Sequence, residues 1–225
     1  NCSVVVNFAT PDALRNCTIL NGENFDGVGV PNLPSGWTTQ TDQGTSNNWK
    51  TVNTQSSSSP NSAFAANLGS LSLSSLTSPE FQIASTSAKL KFDIRHVCES
   101  GYDGAVLEYT TDNGATWKDI LNGGGTFASG GYTHTLSTFF GNPLGGRQAW
   151  SGSATTFKNA VVNLNASMNG QTVKFRWRMG SDSSVGSTGV WIDSVEVEGV
   201  PDPAPITVTQ TEGLPSGSAF PVGTN

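Results

Sequence analysis

Residues 89–97, KLKFDIRHV, place Leu90, Phe92 and Ile94 at every second position, with Lys91, Asp93 and Arg95 between them. Only an extended strand sends successive side chains to opposite faces, so this segment belongs in a sheet with one face buried and one wet. The same period recurs along the chain. AVLEYTTDNGATWKDI reads as a hairpin whose turn, Asp112-Asn113-Gly114, supplies residues that tolerate positive φ. AVVNLNAS, TVKFRWRMGS and GVWIDSVEVEG give three more strands, and LSLSSLTSPEFQI gives an alternating run broken by Pro79. Helix-forming runs of Glu, Lys, Arg and Ala are missing. Charged residues make up only 12% of the 225, and glycine reaches 26, whereas an average soluble domain carries about 25% charged residues. The expected fold is all-β, a sandwich of short strands joined by Gly-, Ser- and Asn-rich turns.

The charge balance narrows the partners. Eleven Lys and Arg against 17 Asp and Glu give a net charge of −6, and the basic residues are scattered. Nucleic acid is not expected, because phosphate binding needs clustered cations. No run of 18 apolar residues occurs, so no membrane insertion is expected, and the N-terminus, NCSVVVNFATPD, lacks the basic and apolar regions of a signal peptide. If the protein is secreted, the signal lies upstream. Cys2 and Cys17 flank an alternating strand, residues 2–8, while Cys98 stands alone. A Cys2–Cys17 bridge fits an oxidising compartment, and three buried thiols is the other reading. No CxxC motif or Cys/His cluster points to zinc.

Composition divides the chain into residues 1–20, a long middle over 21–199 and residues 200–225, where the stiff, linker-like PDPAP stretch follows Val200. The middle carries ENFDG, LPSGW, LTSPEFQI, KLKFDI, GYDGAVLEYTTDNGATWKDI, FFGNPLGGRQAWSGS and GVWIDSVEVEG in order. These strings resemble the bacterial MAM-like jelly-roll domains, close to the cleaved adhesin domains of gingipain-type proteins and the ancillary domain of immune inhibitor A-type proteases. The two ends, NCSVVVNFATPDALRNC and ITVTQTEGLPSGSAFPVGTN, resemble the halves of a hyalin repeat, an immunoglobulin-like module, with both cysteines at its separation. The resemblance therefore implies a jelly-roll β-sandwich inserted into a small, incomplete immunoglobulin-like β module formed by the chain ends.

The jelly-roll resemblance also implies a structural calcium between the first and last strands, with Glu23 and Asp26 of ENFDG and Asp193 of WIDSV as the carboxylates; oxygen donors of this kind suit calcium. A capping role for Asp193 and a solvated strand position for Glu23 are the alternative. Asp103 of GYDG reads better as a turn residue than as a ligand. Flat aromatic rings bind sugar faces at little entropic cost, and Trp49, Tyr102, Tyr132 and Trp150 sit in loop-like surroundings, while Trp37, Trp117, Trp177 and Trp191 read as core. Catalytic signals are sparse. His96 reads as structural and His134 as exposed, and no GxSxG, HExxH or nucleotide loop appears. Glu99, Asp103 and Glu108 form the nearest carboxylate group, which strand alternation explains equally well.

These readings point to a non-catalytic binding or adhesion module of a larger secreted or cell-surface protein. Its expected partners are a glycan or a surface protein, presented to loops among which the Gly-rich 122–152 excursion stands out. Two alternatives remain: a structural subunit that self-associates into a fibre by strand addition, and an accessory domain of a secreted protease.

Overall fold

The computed structural model describes residues 22–199. Within that span no α-helix occurs, and antiparallel strands form two large sheets and one small one. The first sheet contains β1 (Gly22–Glu23), β3 (Lys50–Val52), β4 (Ser62–Ala66), β7 (Lys89–Val97), β10 (Thr126–Ser129), β13 (Ser153–Asn163) and β15 (Gly189–Glu198). The second contains β2 (Thr38–Gly44), β5 (Ser72–Thr77), β6 (Phe81–Gln82), β8 (Gly104–Thr110), β9 (Lys118–Asp119) and β14 (Thr172–Ser181). A small ribbon pairs β11 (His134–Thr135) with β12 (Gln148–Ala149). The first sheet runs β10-β13-β7-β15-β4-β3, and the second β2-β5-β14-β8-β9. Neighbouring strands are mostly distant in sequence, as in a jelly-roll β-sandwich.

The core is set by the alternation that the sequence displays. β7 buries Leu90, Phe92 and Ile94, and β14 buries Val173, Phe175, Trp177 and Met179 across from them. Phe25 and Trp37 enter the same core. The Trp37 indole stacks on Trp177 with centroids 5.9 Å apart, and Phe25 meets Trp37 edge-on at 5.1 Å. LPSGW thus delivers its tryptophan inward, in line with the reading of Trp37 as core. Cys98 is a free, buried thiol, and the His96 ring, also buried, places Nδ1 3.1 Å from the Gly152 carbonyl. The Cys2–Cys17 pair and both hyalin-like segments lie outside the described residues.

β8 departs from simple alternation, because all seven of its residues are buried. The reason is the 122–152 excursion, which folds back over the outer face of the second sheet. Leu136, Leu144 and Ala149 of the excursion pack on Leu73 and Val106 as a second apolar cluster. Val106 therefore belongs to this outer cluster, while its neighbour Leu107 faces the main core. A strand covered on both sides reads as a continuous apolar run, and AVL is one.

Candidate functional site

One end of the sandwich gathers three loops: residues 98–103 between β7 and β8, residues 136–147 within the excursion, and residues 182–188 between β14 and β15. The Tyr102 ring lies 5.8 Å from Phe140. Phe139 is 75% exposed, Phe140 58% and Val185, on the third loop, 61%, while the other aromatic side chains among the described residues are buried or half-buried. Phe140 takes a left-handed φ of 63°, an unfavourable conformation for a residue with a bulky side chain. The loops are tied together: Ser183 donates its amide to the Phe140 carbonyl at 3.2 Å, and Ser137 donates to the Gly101 carbonyl at 2.7 Å.

Beneath these aromatics lies an acidic cluster. Glu99, Asp103 and Asp182 each offer a carboxylate oxygen within 4.8 Å of the others. Asp103 and Asp182 are fully buried. Asp103 Oδ1 accepts from the Asp182 amide at 2.7 Å and from Asn142 Nδ2 at 3.2 Å, while Oδ2 accepts from Asn67 Nδ2 at 2.6 Å. Desolvation, followed by the charge of Asp182, raises the Asp103 pKa, even though these hydrogen bonds pull the other way. Glu99 is raised by desolvation and by both neighbouring carboxylates. Asn142 also donates to the Tyr102 and Gly180 carbonyls at 2.7 and 3.1 Å, so one buried amide links the acidic cluster to the aromatic loop.

The sequence-derived metal trio sits at a different place, beside the loop 53–61. β1 pairs with β15, with Glu23 opposite Val195, which brings Glu23 near Asp193. Glu23 Oε1 accepts from the Phe25 amide at 2.7 Å, and its pKa is raised by desolvation and by the charges of Asp26 and Asp193. Asp26 takes one donor on each oxygen, the Asn61 amide at 2.8 Å and Asn24 Nδ2 at 2.8 Å, which leaves lone pairs for a cation. Both residues fit a calcium ligand set. Asp193 has another role. Its Oδ2 accepts from the amides of Ser57 and Ser58 at 2.6 and 2.9 Å, and its Oδ1 accepts from Ser58 Oγ and the Ser194 amide at 2.9 and 2.6 Å. Four donors fill its acceptor sites, so Asp193 anchors the serine loop onto a bulge in β15, where Ser194 has φ 49°.

Of the four aromatics expected to face a ligand, only Tyr102 lies at the loop end. Trp49 and Trp150 are each 1% exposed and belong to the core: Trp49 enters it just before β3, and Trp150 because the excursion folds inward and does not project. Trp150 donates Nε1 to the Gly130 carbonyl at 2.8 Å and packs edge-on to Phe92, Phe127 and Tyr132. The Tyr132 hydroxyl accepts from the Leu107 amide at 2.9 Å and fastens the excursion to β8. Trp117, read as core, is half-buried instead, with the Arg176 guanidinium 4.1 Å above its ring. The carboxylates grouped as Glu99, Asp103 and Glu108 separate: Glu108 sits on the far face of its strand, paired with Arg147 at 2.5 Å and Arg176 at 2.6 Å. Asp182 and the Phe139–Phe140 doublet went unrecognised as site residues; GSDSS at the end of β14 and FFG in a Gly/Pro-rich stretch were the available signals.

The Reelin subrepeat B family model matches residues 50–198, well over half of the chain. The chain belongs to the Reelin subrepeat B family. Cleaved adhesin domains, the similarity expected from the sequence, are among the solved structures that this chain resembles. A cleaved adhesin domain of Lys-gingipain from Porphyromonas gingivalis is 18% identical, with TM-score 0.46, covering 79% of this chain and 96% of that one. A second Lys-gingipain adhesin domain is 15% identical, with TM-score 0.48 and coverages of 78% and 96%. A structure described as a carbohydrate-binding module from the β-sandwich superfamily is 9% identical, with TM-score 0.48; it covers 79% of this chain, which spans 61% of that chain's length. No curated protein matches the subrepeat in sequence. Among the described residues, no helix is long and apolar enough to cross a membrane.

Proposed function

We propose that this chain is a non-catalytic extracellular binding module of a larger secreted or surface protein, and that it meets a glycan at the loop end bearing Tyr102, Phe139 and Phe140. The observation that carries this reading is the pair of exposed phenylalanines, Phe140 on left-handed backbone, held by loops hydrogen-bonded to one another. Large apolar rings exposed together on a rigid frame mark contact surfaces, and flat rings suit sugar faces. The groups most able to do nucleophilic chemistry are committed elsewhere. Burial pushes the Cys98 thiol far up, and His96 holds the Gly152 carbonyl. Calcium is part of the same proposal, held by Glu23 and Asp26 at the β1–β15 junction while Asp193 fixes the adjoining loop. The MAM-like resemblance supports that placement, and calcium would supply charge compensation there.

The test is binding of the full chain to a panel of immobilised oligosaccharides, with the Phe139→Ala/Phe140→Ala double variant alongside. The expected result is a glycan-selective signal that falls at least tenfold in the variant, with an unchanged melting curve. Equal binding by both proteins would defeat the loop-end assignment. A blank panel would turn the search to a surface protein or to self-association, which size-exclusion at several concentrations reads directly.

A further inference from the structure

The geometry points to a second cation site, formed by Glu99, Asp103 and Asp182, that takes a divalent ion of the calcium class beneath the aromatic loop end. The cluster alone would not carry this, since acidic groups often sit together without an ion. The second observation is that its oxygens are stranded. Asp182 is fully buried, and its Oδ2 has no hydrogen-bond partner; Glu99 Oε2 is likewise shielded from solvent and unpartnered. Buried polar atoms in native proteins are nearly always satisfied, by a protein group, a water or an ion. Among the described residues no lysine or arginine reaches these three carboxylates, although Glu108, Asp119, Asp42, Glu80 and Glu198 each have at least one.

The surrounding chain is arranged to hold the carboxylates in place. Asn67 and Asn142 orient Asp103 from two sides, and the Ser184 amide holds Asp182 Oδ1 at 2.8 Å, which leaves Oδ2 to the cluster. Asp103 Oδ2 accepts a single protein donor, so a lone pair remains. The donor set is oxygen only, with no imidazole or thiolate, and this selects hard cations over zinc or copper. Asp103 and Asp182 are closed to solvent, so a polymeric substrate cannot reach them and a glycosidase role for the pair does not fit. The ion would join the 98–103 loop to the start of the 182–188 loop, the two segments that flank Phe140. The inference does not depend on the Glu23–Asp26 assignment.

The test is isothermal titration of calcium into the full chain, first stripped with chelator, with magnesium as the comparison ion. Glu99→Gln is the principal variant because Glu99 is only partly buried and follows β7, so the fold should survive; Asp182→Asn and Glu23→Gln complete the set. The expected result is that Glu99→Gln and Asp182→Asn each abolish one calcium transition or weaken it at least tenfold. Glu99→Gln should leave the melting curve in chelator unchanged or raised, since it removes like-charge repulsion. If only Glu23→Gln changes the titration, the second site is overturned and the cluster is neutralised by protons. If Glu99→Gln and Asp182→Asn change it and Glu23→Gln does not, the second site stands and the β1–β15 site falls. A wild-type chain that takes up no calcium overturns both, and equal affinity for magnesium overturns the calcium-class assignment.

Discussion

Glu108 shows how one side chain can set the chemistry of a whole strand face. It is buried on β8 and accepts from Arg147 on the excursion and Arg176 on β14, with Arg178 at 3.8 Å; Arg147 and Arg178 in turn hold Asp119 and Asp42. Burial alone would raise its pKa, but the charges of Arg176, Arg147 and Arg178 outweigh that and hold it below the usual carboxylate range. A carboxylate whose folded pKa is depressed stabilises the fold above its unfolded pKa, and the contribution is lost as pH falls through the folded value. Glu108→Ala should therefore cost about 3–5 kcal/mol in denaturant unfolding at neutral pH, because it leaves the largely buried Arg176 guanidinium without a carboxylate. The deficit relative to wild type should shrink below the ordinary glutamate range, about pH 4. A deficit independent of pH would mean that the loss is packing and not charge. Asp193 invites a similar measurement. Asp193→Ala leaves the amides of Ser57, Ser58 and Ser194 without their acceptor, so a loss of about 2–5 kcal/mol is expected, and it should persist in chelator because the anchoring needs no ion.

At the scale of elements, what could be read from the sequence divides along a physical line. Strands whose faces differ in polarity announced themselves: the alternation of 89–97 became β7 with its predicted inner face, and the Asp112-Asn113-Gly114 turn closes its hairpin with Asn113 at φ 58°. Asp112 holds that turn by accepting from Thr110, from the Thr116 amide and from the Thr116 hydroxyl. The excursion was illegible because local polarity does not report long-range docking. Its glycines and scattered aromatics look like a free loop, yet Leu136 and Leu144 find an apolar patch contributed by Leu73 and Val106. The two tryptophans assigned to ligand binding failed for the same reason: Trp49 and Trp150 lie in polar sequence but fold into the core. The acidic cluster was illegible because its members come from segments about eighty residues apart. Leu144→Ala tests the docking: removing a buried leucine costs about 2–5 kcal/mol where the site cannot collapse. Here the expectation is a local loosening, with faster amide exchange over 132–149 and slower exchange retained in β7 and β14. Uniform acceleration across both sheets would show that the excursion is part of the single cooperative unit.

For the whole molecule, the two acidic junctions lie at positions where segments distant in sequence must be joined, and an ion that binds only the folded chain adds stability in proportion to its occupancy. A single site filled at a hundred times its dissociation constant contributes about 2.7 kcal/mol. A chain of this size gains about 2–4 °C in melting temperature per kcal/mol. Calcium should therefore raise the melting temperature by about 5–11 °C for each occupied site, with Glu99→Gln and Glu23→Gln each removing one increment. The junction under the loop end carries a further consequence. If the ion orders the segments bearing Tyr102 and Phe140, then calcium and a loop-end ligand are coupled, and thermodynamic reciprocity requires each to tighten the other by the same factor. Glycan binding measured in chelator should be weaker than in calcium, and Glu99→Gln should bind glycan with the chelator-level affinity whether or not calcium is present, while Glu23→Gln keeps the calcium response. Wild-type affinity unmoved by chelator would mean that the loops are already ordered by their own hydrogen bonds, the Ser183–Phe140 and Asn142–Tyr102 contacts among them. The acidic cluster would then matter for stability alone.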